Sequence, residues 1–166
     1  SVNERTIVSQ MQVGSTDLRL NRLSSALPAT VVPAKVLPAN YLDYLPSIST
    51  YANGRASYTI PGFFINQLNR AICVEVGIDS NLLWIYSPQD SFTTRHSLYT
   101  PAIPGDSGSP VYIVINDQAV VLTTLWTASY SPSIPDNYAD INSAMTSLGG
   151  GYQLTVASMT GFTDFN

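Results

Sequence analysis

The sequence predicts an all-β chain, an antiparallel barrel or sandwich, on three observations. Short runs rich in Val, Ile, Tyr and Thr recur along its length: "RTIVSQMQV", "ATVVPAKVL", "RASYTI", "AICVEVGI", "LLWIY", "PVYIVI" and "AVVLTTLW". Such side chains suit a pleated, half-buried surface. Turn residues separate the runs at short intervals, which favours antiparallel neighbours over the long crossovers that parallel strands need. Only one segment carries a convincing helical period.

Taken in order, the first two runs are interrupted by a polar stretch, and the region 36–55, "VLPANYLDYLPSISTYANGR", is the most linker-like, with prolines and Asn-Gly breaking the pattern. "PGFFINQLNRA" is ambiguous: Phe64, Ile65 and Leu68 could share a helical face, but the glycine and aromatics argue against it. "VYIVI" and "AVVLTTLW", joined by Asn116, Asp117 and Gln118, read as a hairpin with a short polar loop. The clear helix is "DINSAMTSLGGG": Asp140 or Asn142 caps it, Ile141, Met145 and Leu148 share a face, and glycines end it. In the tail "GGGYQLTVASMTGFTDFN" three glycines lead into another strand-like run.

With 166 residues, 45% of them apolar, the chain can bury one sizeable core. Charged residues are only 11%, against about 25% in ordinary globular proteins, and Ser, Thr, Asn and Tyr carry the polarity instead. That surface suits an extracellular or particle-associated protein. Lys35 is the only lysine, the arginines are scattered and the net charge is -4, so no basic stripe exists to neutralise phosphates and nucleic acid is not an expected partner. No run reaches the ~20 apolar residues of a membrane-spanning helix, and residues 1–13 lack the basic start and apolar middle of a signal peptide. Cys73 is the single cysteine. It cannot form an intrachain disulfide, and its neighbours in "RAICVEV" predict a buried apolar position.

The chemistry concentrates in "PAIPGDSGSPVYIVI". Glycines flank Ser107 on both sides, so the backbone can turn sharply there, and the amides of Gly105 and Ser107 can converge on one point. Convergent donors of this kind stabilise an oxyanion, by about 2.7–4 kcal/mol per donor in acyl transfer. The six residues Gly105 to Pro110 match G-D-S-G-[GS]-P, and in this the chain resembles the trypsin-like, chymotrypsin-fold serine peptidases. "STDLRLNRLSSALP" is similar to the segment that carries that family's catalytic aspartate, and it stands before the serine motif as in the family.

The resemblance implies an antiparallel double β-barrel whose first barrel is incomplete, with a short helix near the C-terminus. It divides the chain into the remainder of the first barrel (1–35), an inter-barrel linker (36–55), the second barrel (56–139), and a short helix with a strand-like tail (140–166). It makes Ser107 the nucleophile, Asp17 the residue that orients the base, and Gly105 and Ser107 the oxyanion hole. Trp126 falls where the family's backbone pairs with substrate. Pro101 falls at the base of the specificity pocket, where trypsin-type members have an acidic residue. Tyr138 matches a family tyrosine near the last helix, and Asp136 is a further candidate for the pocket wall. Asp106 is expected to bury its carboxylate in a hydrogen-bonded pair that shapes the loop. No metal or organic cofactor is implied, the substrate is a polypeptide, and the expected setting is extracellular or secreted.

The base is missing. The family order is His, Asp, Ser, yet no histidine precedes Asp17, and the only one, His96, lies in "FTTRHSLYTPAIPG", a stretch that leads to the pocket. Two accounts compete. Either the histidine lies on a segment outside these residues, as a complementary, non-covalently held N-terminal fragment, or His96 has been recruited as the base or the chain is a non-catalytic binding or structural module on the same fold; for His96 itself the reading as a surface or pocket-wall residue outweighs catalysis. Retention of both Ser107 and Asp17 favours the first.

Overall fold

A computed structural model of the chain describes residues 4–45, 50–52, 55–79, 82–127 and 129–165. Strands β1 (Ile7–Gln12) and β2 (Arg19–Leu23) form a separate antiparallel ribbon. After β3 (Lys35–Val36) and a 3-10 turn (Tyr41–Tyr44) come β4 (Thr50–Ala52), β5 (Arg55–Ile65), β6 (Ala71–Asp79) and β7 (Leu82–Tyr86). A one-turn helix, α1 (Thr93–Ser97), precedes β8 (Pro110–Ile115), β9 (Gln118–Thr124) and β10 (Tyr130–Pro132), and helix α2 (Tyr138–Leu148) follows. The main sheet has the order β10-β7-β6-β5-β8-β9-β3, with β4 added to β5.

This sheet curls into a half-barrel. The Ile134 N–H, just past β10, donates to the Leu122 carbonyl on β9 at 3.0 Å, and Thr123 Oγ1 donates to the Pro132 carbonyl at 2.5 Å, so the two ends of the antiparallel run approach each other. Inward-facing Ile60, Phe64, Val74, Val76, Val111 and Leu122 fill the curl. A second cluster joins the ribbon to α2 through Val13, Leu18, Val36, Ile134, Ile141 and Ala144.

The hairpin forms as predicted, with a tighter loop: Asn116 and Asp117 both have positive φ, 50° and 59°, as a two-residue turn matched to strand twist requires, and Gln118 already belongs to β9. α2 starts upstream of the predicted caps, with Asn137 preceding it, and Gly149 at φ 78° ends it. Asn142 instead accepts a hydrogen bond from the Leu154 N–H at 2.8 Å.

"PGFFINQLNRA" is strand up to Ile65 and then a turn. Asn66 Oδ1 accepts from the N–H groups of Leu68 and Arg70, local bonds that compete with a helix. In "ATVVPAKVL" only Lys35–Val36 is strand, while Val31 and Val32 are exposed; Pro33 has no N–H to give a ladder. β3 pairs parallel to β9, an exception to the antiparallel pattern. The tail runs beside β3: Val36 N–H donates to Thr155 and Ala157 N–H to Val36, while Phe165 N–H reaches Tyr44. Ala157 and Phe165 are buried, so the tail covers an otherwise open edge.

Cys73 is half-buried rather than buried. Ile72 and Val74 take the inward positions of β6, and the period of two turns Cys73 to the outer face. Glu75 shares that face, where α1 covers it: Arg95 Nη1 stands 2.8 Å from Glu75 Oε1. Among the described residues no helix is long and apolar enough to cross a membrane.

Candidate active site

The loop between α1 and β8 is shaped by one buried carboxylate. Asp106 is 2% exposed; its Oδ1 accepts from the Gln67 N–H at 2.9 Å and its Oδ2 from the Ile103 N–H at 3.0 Å. Its own N–H donates to the Ile103 carbonyl, and its carbonyl accepts from Ser109. Beyond it, the Gly108 N–H donates to Leu125 and the Leu125 N–H to Ser109, which ties the loop to the end of β9. Gly105 adopts φ 104°, a conformation closed to most side chains.

These bonds use the amides of Ile103, Asp106, Gly108 and Ser109. Among the described residues, the N–H groups of Gly105 and Ser107 donate to no protein acceptor, and the exposed Ser107 hydroxyl has no hydrogen-bond partner. Two free donors and a free hydroxyl thus lie within three consecutive residues. Beside them opens a cleft of about 230 Å³, walled by Ala102, Ile103, Pro104, Leu125 and Thr127, with Asp106 and Ser107 at its side.

Pro101 is exposed and lies outside this wall. Trp126 is 44% exposed, not a core tryptophan; its ring meets Tyr130 edge-on at 5.3 Å, and its backbone N–H donates to Ser131 Oγ at 3.0 Å. Asp17 is exposed and makes no side-chain hydrogen bond among the described residues. Its turn is fixed by Thr16, whose N–H and Oγ1 donate to the Val13 carbonyl and whose Oγ1 accepts from the Leu18 N–H. Val13 and Leu18 anchor that turn in the cluster containing Ile134, against which Val121 packs. β9 thus borders the Ser107 loop through Leu125, just past its end, while Val121 packs on the cluster in which the Asp17 turn is anchored.

His96 lies on α1, away from the cleft wall. Its Nδ1 is 2.9 Å from the Pro88 carbonyl and 3.5 Å from Asp90 Oδ1. Asp136 accepts a hydrogen bond from the Tyr41 hydroxyl at 3.1 Å and does not line the cleft. Burial, with the Asp136 charge adding to it, pushes the Tyr41 phenol well above its usual range. Tyr138 is the first residue of α2. Burial also raises the Glu75 carboxyl, against the opposing pull of Arg95 and a hydrogen bond from Thr59. No group of three or more His, Cys, Asp or Glu among the described residues could hold a metal ion.

Sequence reasoning did not find Gln67, whose amide anchors Asp106 across 39 positions of chain; a backbone donor leaves no signal in residue type. It also missed Ile103, Leu125 and Thr127 as walls, because their role comes from the way β9 returns to the loop. No family model, curated protein or solved structure matches the chain.

Proposed function

We propose that this chain is the part of a trypsin-like serine endopeptidase that carries the nucleophile. The observation that supports this reading best is the pair of unengaged amides at Gly105 and Ser107 beside a free hydroxyl, on a loop stiffened from below by Asp106. Ser107 attacks the peptide carbonyl, its proton passes to an imidazole, and the two amides receive the charge that develops on the carbonyl oxygen. Asp17 orients that imidazole. The finer architecture, a second barrel with the remainder of a first, goes with the same reading; in its favour are the curl of the main sheet and the separate β1–β2 ribbon.

The base comes from a histidine outside this chain, because His96, on α1, does not line the cleft beside Ser107. A complementary segment would also cover apolar surface that now faces solvent: Ile7, Val8 and Met11 on the ribbon, and a groove of about 580 Å³ lined by Leu20, Leu23, Leu27, Met145 and Leu148 among others. An extracellular or secreted setting fits the low charge.

A fluorophosphonate probe tests the reading. Native material that contains the histidine-bearing segment takes up one phosphonate per chain, on Ser107. No uptake in that material refutes the peptidase and leaves the non-catalytic module.

A further inference from the structure

The proposed reaction leaves open which side chain the enzyme prefers at the scissile bond. We infer that the cleft beside Ser107 selects an uncharged, apolar side chain on the acyl side of that bond, an inference that rests on the peptidase reading. Four of its walls, Ala102, Ile103, Pro104 and Leu125, present hydrocarbon. Apart from Ser107 itself, its polar side chains are already engaged. Both Asp106 oxygens accept backbone N–H groups, and Thr127 Oγ1 accepts from Ser129 and Tyr130 while donating to the Tyr130 carbonyl.

No free carboxylate among the described residues is left in the wall to receive a lysine or arginine. Asp136, the acidic residue that the sequence brings under suspicion, is held by Tyr41 elsewhere. A cationic or anionic side chain entering the cleft would lose hydration without gaining a partner. An apolar one gains by leaving water, in proportion to the area it buries. At about 230 Å³ the cleft has room for far more than one water, whose share of liquid volume is about 30 Å³, so a leucine or methionine side chain is accommodated.

Binding of product-like peptides tests this on the chain itself, since it needs no base. N-acetyl-Ala-Ala-Leu, -Lys and -Asp with free carboxylates are titrated while the amide resonances of Gly105, Ser107 and Thr127 are followed. The leucine peptide is expected to shift all three and to bind at least about tenfold tighter than the lysine or aspartate peptide. In Thr127→Asp, where one carboxylate oxygen can accept the Ser129 and Tyr130 amides as Thr127 Oγ1 does and the other is left for the cleft, the lysine peptide is expected to gain about tenfold. Lysine or aspartate binding the parent chain as well as leucine overturns the specificity and leaves the peptidase reading standing. Leucine-selective binding in material that never labels with phosphonate removes the peptidase and keeps an apolar binding cleft. Failure of all three peptides to move Gly105 and Ser107 overturns both.

Discussion

Replacing Asp106 by asparagine isolates the carboxylate that shapes the Ser107 loop. Asparagine has the same outline, so no cavity opens, but it offers one acceptor oxygen and turns an NH2 group toward the other amide. One of the two bonds, to Gln67 at 2.9 Å or to Ile103 at 3.0 Å, is then lost. A hydrogen bond to a charged acceptor contributes about 1.5–3 kcal/mol, and a stranded buried N–H adds about 1 kcal/mol or more. The expected loss is about 3 kcal/mol, which in a chain of this size lowers Tm by about 6–12 °C. Urea unfolding measures it as a lower midpoint at unchanged slope. The same substitution loosens the loop, so phosphonate uptake at Ser107 slows. An Asp106→Asn chain within about 0.5 kcal/mol of the parent would refute the argument, since it would mean that Gln67 and Ile103 find other acceptors at no cost.

Further expectations follow from other contacts. Gly105→Ala forces a Cβ onto a backbone at φ 104° and within 2.7 Å of Gln67 Oε1; the glutamine can swing away, the backbone cannot, so about 1–3 kcal/mol of stability and most phosphonate labelling should be lost. Arg95→Met leaves the Glu75 carboxylate buried with the Thr59 hydrogen bond but without its cation. It should cost about 2–3 kcal/mol at pH 7 in urea unfolding. Because burial raises the folded-state pKa of Glu75 above 4.5, the neutral form is favoured on folding; its contribution is fully present below that unfolded value and fades as pH rises, so the defect of Arg95→Met should shrink on acidification. Tyr41 is also raised from an ordinary value of 10.0. Its contribution is intact below that pH and falls as pH climbs past it, so between pH 9 and 11 the parent's urea midpoint should drop more steeply than that of Tyr41→Phe. Phe165→Ala should cost about 3 kcal/mol if the tail seals the core.

β6, β7, β8 and β9 were legible because Ile, Val and Tyr recur along them and turn residues bound each run, whereas β4 fell in the stretch read as a linker and the end of β5 in the ambiguous "PGFFINQLNRA". The hairpin at Asn116 and Asp117 could be read because residues that tolerate positive φ stand where a two-residue loop needs them. β10 was not: its "YSP" carries little strand propensity, and it forms because Trp84 and Leu83 of β7 are there to pair with. The parallel pairing of β3 with β9 and the docking of the tail depend on long-range contacts that no local pattern records. In the candidate site, Gly105, Asp106 and Ser107 were visible as a motif, and the role expected for Asp106 is the one its two amide bonds describe. The free state of the two amides, the closed-off Asp136 and the hydrocarbon walls became apparent only once the loop was folded over Leu125 and Gln67. Glu75 and Arg95 look like ordinary surface charges in the sequence, and only the outer face of β6 under α1 brings them together.

The most direct test of the account is cross-link mapping of native material already labelled with phosphonate. The peptide containing Asp17 is expected to cross-link to a histidine-bearing segment lying outside these 166 residues, in the same complex that carries phosphonate on Ser107. Phosphonate uptake by this chain alone, with no second segment near Asp17, would contradict it.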